Sequence, residues 1–577
     1  MNTTVKITVA DVILKHLESE GVEYLFGIPG TTMVPLLAAT NRNKAVRPIL
    51  AKHEEGAAFM ADGYARVKGG FGACFATSGP GATNLMSGVA NAYMDNVPVL
   101  VLTGQVETAV YGKGAFQDSS KEGVDSVKMF EPITKHSSMV ISKHKAIEDL
   151  QAALRTAMTG KKGPVHLCLP KDIQNAEVDF SGVATASFRL PVEYFDRRLV
   201  IDAAEQLVQA QRPAMLVGSG AVSSGACDDI KELAEMLSLP VATTPKAKGA
   251  FPEDHPLSLG VLGLCGSPLA ENYLRRGMTD VLFVVGASLN QMTTMSWDPR
   301  LAPTKCLIHV NIDPGEIGKN YPTQLPLVGD ARTIINEVSF RVLRHLTKGE
   351  LHLEERAKAV AELRASVGTC LDPEKLTSDS VPLKPQRVIH ELQETLPEDA
   401  ILFVDVGNSI NWVTHYMKFR RPGSVITPFG MLTMGYGISA AVGGKLAAGK
   451  RPVVCLAGDG CFMMNGMEIA TAVHNDIPVV YIILNNQKLG LVHDLQTFTL
   501  GQNTVATRFP KINAAKVAEG LGAVGHIVEK PGELKRLLPE AIASGKTTVI
   551  DCSIDPSEVP PLSPFIEGAK RFLRHLD

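Results

Sequence analysis

An aspartate and an asparagine stand at the ends of two apolar runs in the last third of this sequence. Val453–Ala457 leads into Gly458-Asp459-Gly460, and Val479–Leu484 leads into Asn485-Asn486, with a helix-like stretch from about Asn465 to His474 and an Asn475-Asp476 turn between them. Strand, helix, strand is the pattern of a right-handed βαβ unit with parallel strands, so Asp459 and Asn486 are expected to emerge together at the carboxyl edge of one sheet. A carboxylate oxygen, an amide oxygen and a backbone carbonyl near Lys488 form the hard-oxygen set that octahedral Mg2+ prefers, with phosphate oxygens completing the shell. Gly458 and Gly460 would let backbone amides approach the same anion.

The elements that must hold these residues are legible as strand-sized apolar runs between helical stretches. They include Ile49–Ala51, Ala73–Thr77 and Val99–Thr103, then Ala214–Val217, Val281–Val285 and Leu307–Ile312, and finally Leu402–Val406, Val453–Ala457, Val479–Leu484 and Val549–Cys552. Continuously apolar runs suit parallel strands covered on both faces. The fold class expected is α/β, with three doubly wound parallel-sheet domains, and 577 residues at roughly 100–200 per domain accommodate them. Aperiodic Ala184–Arg197, with Pro191, reads as a linker, and charged Lys348–Ser366 reads as an exposed helix running into Leu371–Pro385. Boundaries near 190 and 370 give domains at 1–185, 190–350 and 370–560.

Composition removes other classes. With 45% hydrophobic and 20% charged residues the chain is an ordinary folded one. Lys and Arg total 57 against 60 Asp plus Glu, and the scattered charges leave neither a nucleic-acid footprint nor a membrane anchor. The longest apolar runs fall short of the ~18 residues a membrane helix needs, and Met1–Gly21 reads as a strand and an amphipathic helix rather than a signal peptide. Nine cysteines without a CxxC pair fit a reducing compartment, so a cytoplasmic location is expected. Gly218-Ser219-Gly220 has Ser223 where a dinucleotide fingerprint needs its third glycine, and reads as a close-packed turn or a cofactor contact. Gly545-Lys546-Thr547 has Glu540 where a P-loop needs its first glycine, so no ATP site is implied.

Further segments accompany the Asp459 and Asn486 pair: FGIPG (Phe26–Gly30), HEEGAAFMADGYARVKG (His53–Gly69), TSGPGATNL (Thr77–Leu85), VPVLVLTGQV (Val97–Val106), AFQD (Ala115–Asp118), ITKH (Ile133–His136), IDPGEIGKN (Ile312–Asn320) and NNQKLG (Asn485–Gly490). With them the chain resembles, over nearly its whole length, the acetohydroxyacid (acetolactate) synthase and pyruvate oxidase branch of the thiamine-diphosphate enzymes. The resemblance implies a pyrimidine-binding, a central and a diphosphate-binding domain in that order.

It also implies roles. Glu54 matches the family glutamate that holds N1′ of the cofactor's aminopyrimidine, so that N4′ becomes basic enough to take the C2 proton. The implied cofactor set is Glu54, Asn408, Ser409, Met434, Gly458, Asp459, Gly460, Cys461 and Asn486, with Met434 propping the bent cofactor and Asn408 and Ser409 on the diphosphate. Asp459, Asn486 and Lys488 are the implied metal set. Phe116 and Gln117 match the segment beside the reacting 2-oxo acid, with Gln117 orienting the intermediate, and Lys135 and Leu495 match substrate-side positions. Leu495 stands where the family has a tryptophan that shapes the acceptor pocket.

The function implied is a carboligase that decarboxylates pyruvate and adds the two-carbon unit to a second 2-oxo acid. A 2-oxo acid decarboxylase, a pyruvate oxidase and a non-catalytic cofactor-binding paralogue are the alternatives. FAD stays open, because Gly286–Trp297 (GASLNQMTTMSW) lacks the acidic-arginine segment of flavin-binding members and Cys265 replaces a histidine. Glu54 and Asp459 fall in different domains, so a site shared between subunits of a homodimer or homotetramer is expected, with a small regulatory subunit among the partners allowed.

Overall fold

The computed structural model describes residues 5–183, 194–276, 278–346, 352–562 and 566–567. Three six-stranded sheets, each wholly parallel, organise it. The first is built from Tyr24–Gly27, Arg47–Leu50, Gly72–Ala76, Val99–Gln105, Ser137–Met139 and Val165–Pro170. Counted along the chain, these strands lie in the order 2-1-3-4-6-5. The third sheet, from Ile401–Val404, Val425–Ile426, Val453–Gly458, Val480–Asn485, Val524–Val528 and Thr548–Ser553, has the same order, whereas the central sheet runs 3-2-1-4-5-6. The added strand Val5–Thr8 pairs antiparallel with Glu177–Phe180.

The apolar strands are explained by two-sided burial. Cys74 and Val101 enter one core while Ala73, Phe75, Leu100 and Leu102 enter the core on the opposite face. The first of these cores is shared, because Phe403, Cys455 and Ile483 of the third sheet join it. Burying apolar area from both units in one core welds them together, since each buried side chain contributes roughly 1.5–3 kcal/mol.

That weld runs through helices Glu54–Lys68 and Tyr436–Ala448. A Cβ on Gly63 would lie 2.1 Å from the carbonyl oxygen of Ala440, and one on Gly443 would lie 1.9 Å from that of Met60, so the backbones touch only because both residues are glycine. At the polar edge of the contact Tyr436 donates to Asp62 Oδ1 at 2.5 Å and Arg66 bridges Asp62 and Asp95, each at 2.6 Å. Lys246, from the central unit, reaches Asp95 at 2.8 Å. One charged network therefore draws on all three units.

Three expectations are corrected. The helix expected from about Asn465 begins at Asp459 and gives way to a 3-10 turn, Gly466–Glu468, before Ile469–His474. The aspartate itself stabilises the first turn, where a carboxylate is favoured by the helix dipole. The strand before Glu54, Arg47–Leu50, is an edge strand with mostly exposed side chains. The helix Leu353–Val367 is exposed along much of its length but docks through Arg356, which is buried and donates to the carbonyls of Leu237, Leu207 and Ala210. Of the expected linker, residues 184–193 lie outside the described residues.

Candidate active site

Strands Ile401–Val404 and Val453–Gly458 are neighbours in space although a strand intervenes in sequence, which makes the gap between them the switch point of the third sheet. At its carboxyl edge lies a cavity of about 90 Å3 lined by Gly407, Asn408, Ser409, Met434, Gly458 to Cys461, Asn486 and Lys488, among others. Asp459 is buried at its floor. Its Oδ2 accepts from the backbone N–H of Asn486 at 3.1 Å and of Gln487 at 2.6 Å, and Oδ1 accepts from Gly460 at 2.9 Å. The carboxylate thus holds the turn that carries Asn486, and Gln487 takes a left-handed φ of 59° within it. Burial pushes the Asp459 carboxyl up to about 6 despite these three bonds.

The surrounding residues tighten the cavity. A Cβ on Gly490 would lie 2.9 Å from Nδ2 of Asn408, so the asparagine packs directly over this glycine. Asn408 donates to Asp494 at 2.7 Å, and Asp494 is paired at 3.0 Å with Lys488, both nearly inaccessible. The Lys488 side chain is therefore committed to a carboxylate. Cys461 donates to the Val406 carbonyl at 3.2 Å, and burial raises its thiol pKa, so it stays protonated. Asp405 accepts from Val406, Gly435 and Ile438 and so fixes the turn that follows Met434, with burial raising its carboxyl to about 6. Met434 Cε lies 3.4 Å from where a Gly460 Cβ would be.

A second group forms at the carboxyl edge of the first sheet. Glu54 opens its helix after the cap residue His53, is 7% exposed, and accepts from Asn84 Nδ2 at 2.9 Å. The Thr77–Leu85 turn that carries Asn84 passes beside it, and a Cβ on Gly81 would lie 3.3 Å from Glu54 Oε1. Ser119, just after the AFQD segment, accepts from the N–H of Gly79 at 2.7 Å and holds that segment against the turn. Gln117 takes a φ of 59° and packs on Gly79, while Phe116 is 81% exposed. Lys135 is used elsewhere, donating to the carbonyls of Thr156 and Thr159 at 2.5 and 2.7 Å. Leu495 is partly exposed on Gly490–Leu500, the helix that follows the cavity turn.

Apart from Lys135, the predicted residues fall on the two sheet edges, and the lining of the Asp459 cavity includes none from the first unit. Sequence reasoning missed Asp405, Asp494 and Glu468. Each is an isolated acid in an apolar stretch, a signal that burial needs a partner. Among the described residues no three His, Cys, Asp or Glu side chains form a metal cluster, so a cation at Asp459 must draw on amide, carbonyl or ligand oxygens. One carboxylate, the Asn486 amide and a glycine-lined floor fit a Mg2+-bound diphosphate. Among the described residues no helix is long and apolar enough to cross a membrane.

Three known domain families match successive stretches of the chain. The thiamine pyrophosphate enzyme N-terminal TPP binding domain matches residues 7–128, the central domain 200–338 and the C-terminal TPP binding domain 405–552. A probable acetolactate synthase large subunit of Methanocaldococcus jannaschii is 38% identical over 96% of this chain and 93% of its own. The acetolactate synthase isozyme 1 large subunit of Escherichia coli is 33% identical over 98% and 97%, and the acetolactate synthase large subunit of Corynebacterium glutamicum 34% over 93% and 85%. Three α/β units in this order, with relatives of this kind along nearly the full length, establish that the chain belongs to the thiamine pyrophosphate enzymes, in the family of acetolactate synthase large subunits.

Proposed function

We propose that the chain is an acetolactate synthase-type carboligase, decarboxylating pyruvate and joining the two-carbon unit to a second 2-oxo acid. The observation that carries this reading is the buried Asp459 carboxylate holding the Asn486 turn at the mouth of a glycine-floored cavity. Asp459 and Asn486, with a backbone carbonyl near Lys488, would bind Mg2+. Asn408, Ser409 and the amides near Gly458 and Gly460 would bind the diphosphate, and Met434 would support the ring system. When bound, thiamine diphosphate would supply the nucleophilic carbon for the 2-oxo acid and the electron sink for the bonding pair that departing carbon dioxide leaves behind. Glu54 would hold a proton at pyrimidine N1′, Gln117 would orient the reacting group, and Leu495 would widen the acceptor side relative to a tryptophan.

The Asp459 cavity is lined from the third unit alone, and this supports a site completed by Glu54 of a second copy. Met463, Met464 and Met467 on the cavity segment are each about half exposed, an apolar face suited to such a contact. A homodimer is the smallest assembly that meets this need. The large-subunit names of the relatives support a small regulatory partner. The central sheet's edge holds a cavity of about 510 Å3 lined by Ser219, Gly220, Asn311 and Asp330 against Lys161 and Lys162. Yet Gly286–Trp297 brings no arginine or carboxylate to it. Visible absorbance of the purified protein decides whether a flavin is bound.

Incubation with thiamine diphosphate, Mg2+ and pyruvate, followed by product separation, tests the activity. Acetolactate is expected, whereas acetaldehyde or acetate as the main product would transfer the chain to its decarboxylase or oxidase relatives. Glu54→Gln should slow turnover at least ~100-fold while cofactor binding is kept, and unchanged turnover would refute its role.

A further inference from the structure

Glu468 is buried at 1% exposure in the third unit, and its carboxylate is aimed into the first. Its oxygens accept from the N–H of Lys52 at 2.9 and 3.1 Å and from the N–H of His53 at 2.9 Å. Thr471 Oγ1 donates to Oε2 at 2.6 Å and orients the group. Gly56 has no side chain where one would collide, since a Cβ there would lie 2.3 Å from Oε1. Lys52 and His53 immediately precede the helix that begins at Glu54, where N–H groups lack partners within the helix. A carboxylate from another unit therefore caps the turn from which the Glu54 side chain departs.

We propose that Glu468 is a positioning residue for Glu54, setting the backbone turn that presents its carboxyl to the cofactor pyrimidine. The proposal rests on the role assigned to Glu54 above. Catalytic geometry is intolerant at this scale, as a displacement of about 1 Å can change a rate by roughly 100-fold. Glu468 also lies on the chain segment that starts at Asp459, so the segment that would hold the metal in one site grips the glutamate that would serve another.

Glu468→Gln keeps the shape but turns one acceptor into a donor facing N–H groups. In the apoprotein, hydrogen exchange at the Lys52–Glu55 amides should speed up at unchanged overall stability. In the cofactor-saturated enzyme, deuterium exchange at C2 of thiamine diphosphate should slow about 10–100-fold while cofactor affinity stays within about threefold. Wild-type exchange at either place overturns the proposal, as does an equal loss of cofactor affinity. Should this variant not fold, Thr471→Val carries the test, since it removes only the orienting hydroxyl. Slower C2 exchange at unchanged affinity supports the proposal, and wild-type exchange overturns it. Glu54→Gln in the same assay separates the two readings. If it exchanges C2 at the wild-type rate, the assignment of Glu54 fails; if it is slow and Glu468→Gln is not, only the positioning role fails.

Discussion

Asp95 lies between two cations, Arg66 at 2.6 Å and Lys246 at 2.8 Å, with its side chain fully buried. Burial alone would raise its carboxyl, but the charges of Lys246 and Arg66 overcome this and hold it below the usual range. A depressed folded-state value contributes stability above the unfolded value of about 3.9 and loses it as pH falls through the folded value. Asp95→Asn should therefore lower stability at pH 7, by about 3 kcal/mol, because Lys246 loses its carboxylate while Arg66 keeps only Asp62. The difference in Tm from wild type should shrink as pH is lowered below about 4, and a pH-independent difference would show that the charge is not what matters. Partnerships of this kind are invisible in sequence. Asp459 and Asn486 could be read because one βαβ unit joins them, whereas Glu468 and Lys52 meet across 416 residues and no periodicity reports that.

Strands were the legible elements. Val281–Val285 and Ala214–Val217 coincide with their apolar runs because burial on both faces demands it. Helix starts were less so: a helix was expected from about Asn465, yet one already begins at Asp459, whose carboxylate bonds the next N–H. Nor does the charge pattern of Leu353–Val367 reveal that Arg356 is buried against carbonyls. The contact between helices Glu54–Lys68 and Tyr436–Ala448 could not have been foreseen from either helix alone, because glycines in a helix ordinarily weaken it. Gly443→Ala brings a Cβ into the Met60 carbonyl, with backbone rather than a flexible side chain opposing it. The expected loss is about 1–3 kcal/mol or more, read from the urea midpoint, and an unchanged midpoint would mean that the helices separate freely.

At the scale of the whole molecule, the two groups of site residues make a prediction about mixtures. If Glu54 of one chain serves Asp459 of another, a dimer of one Glu54→Gln chain and one Asp459→Ala chain contains one site with both lesions and one with none. Co-refolding the two inactive variants in equal amounts should restore roughly a quarter of wild-type activity, half of the dimers being mixed and half of their sites intact. No recovery would place both residues in one chain's own site. Three α/β units were legible because their strand runs are spaced along the whole chain. The pairing of units was not, because it depends on surfaces that no linear pattern describes. The first and third sheets share the order 2-1-3-4-6-5, and the two helices that weld them each lie between the second and third strands of their own unit. Their contact is thus the internal counterpart of a two-fold interface, with Glu54 opening one helix and Met434 preceding its equivalent. An acid thus stands at the start of one welding helix where an apolar side chain stands just before the other, so the two units offer different chemistry from equivalent places in the same architecture.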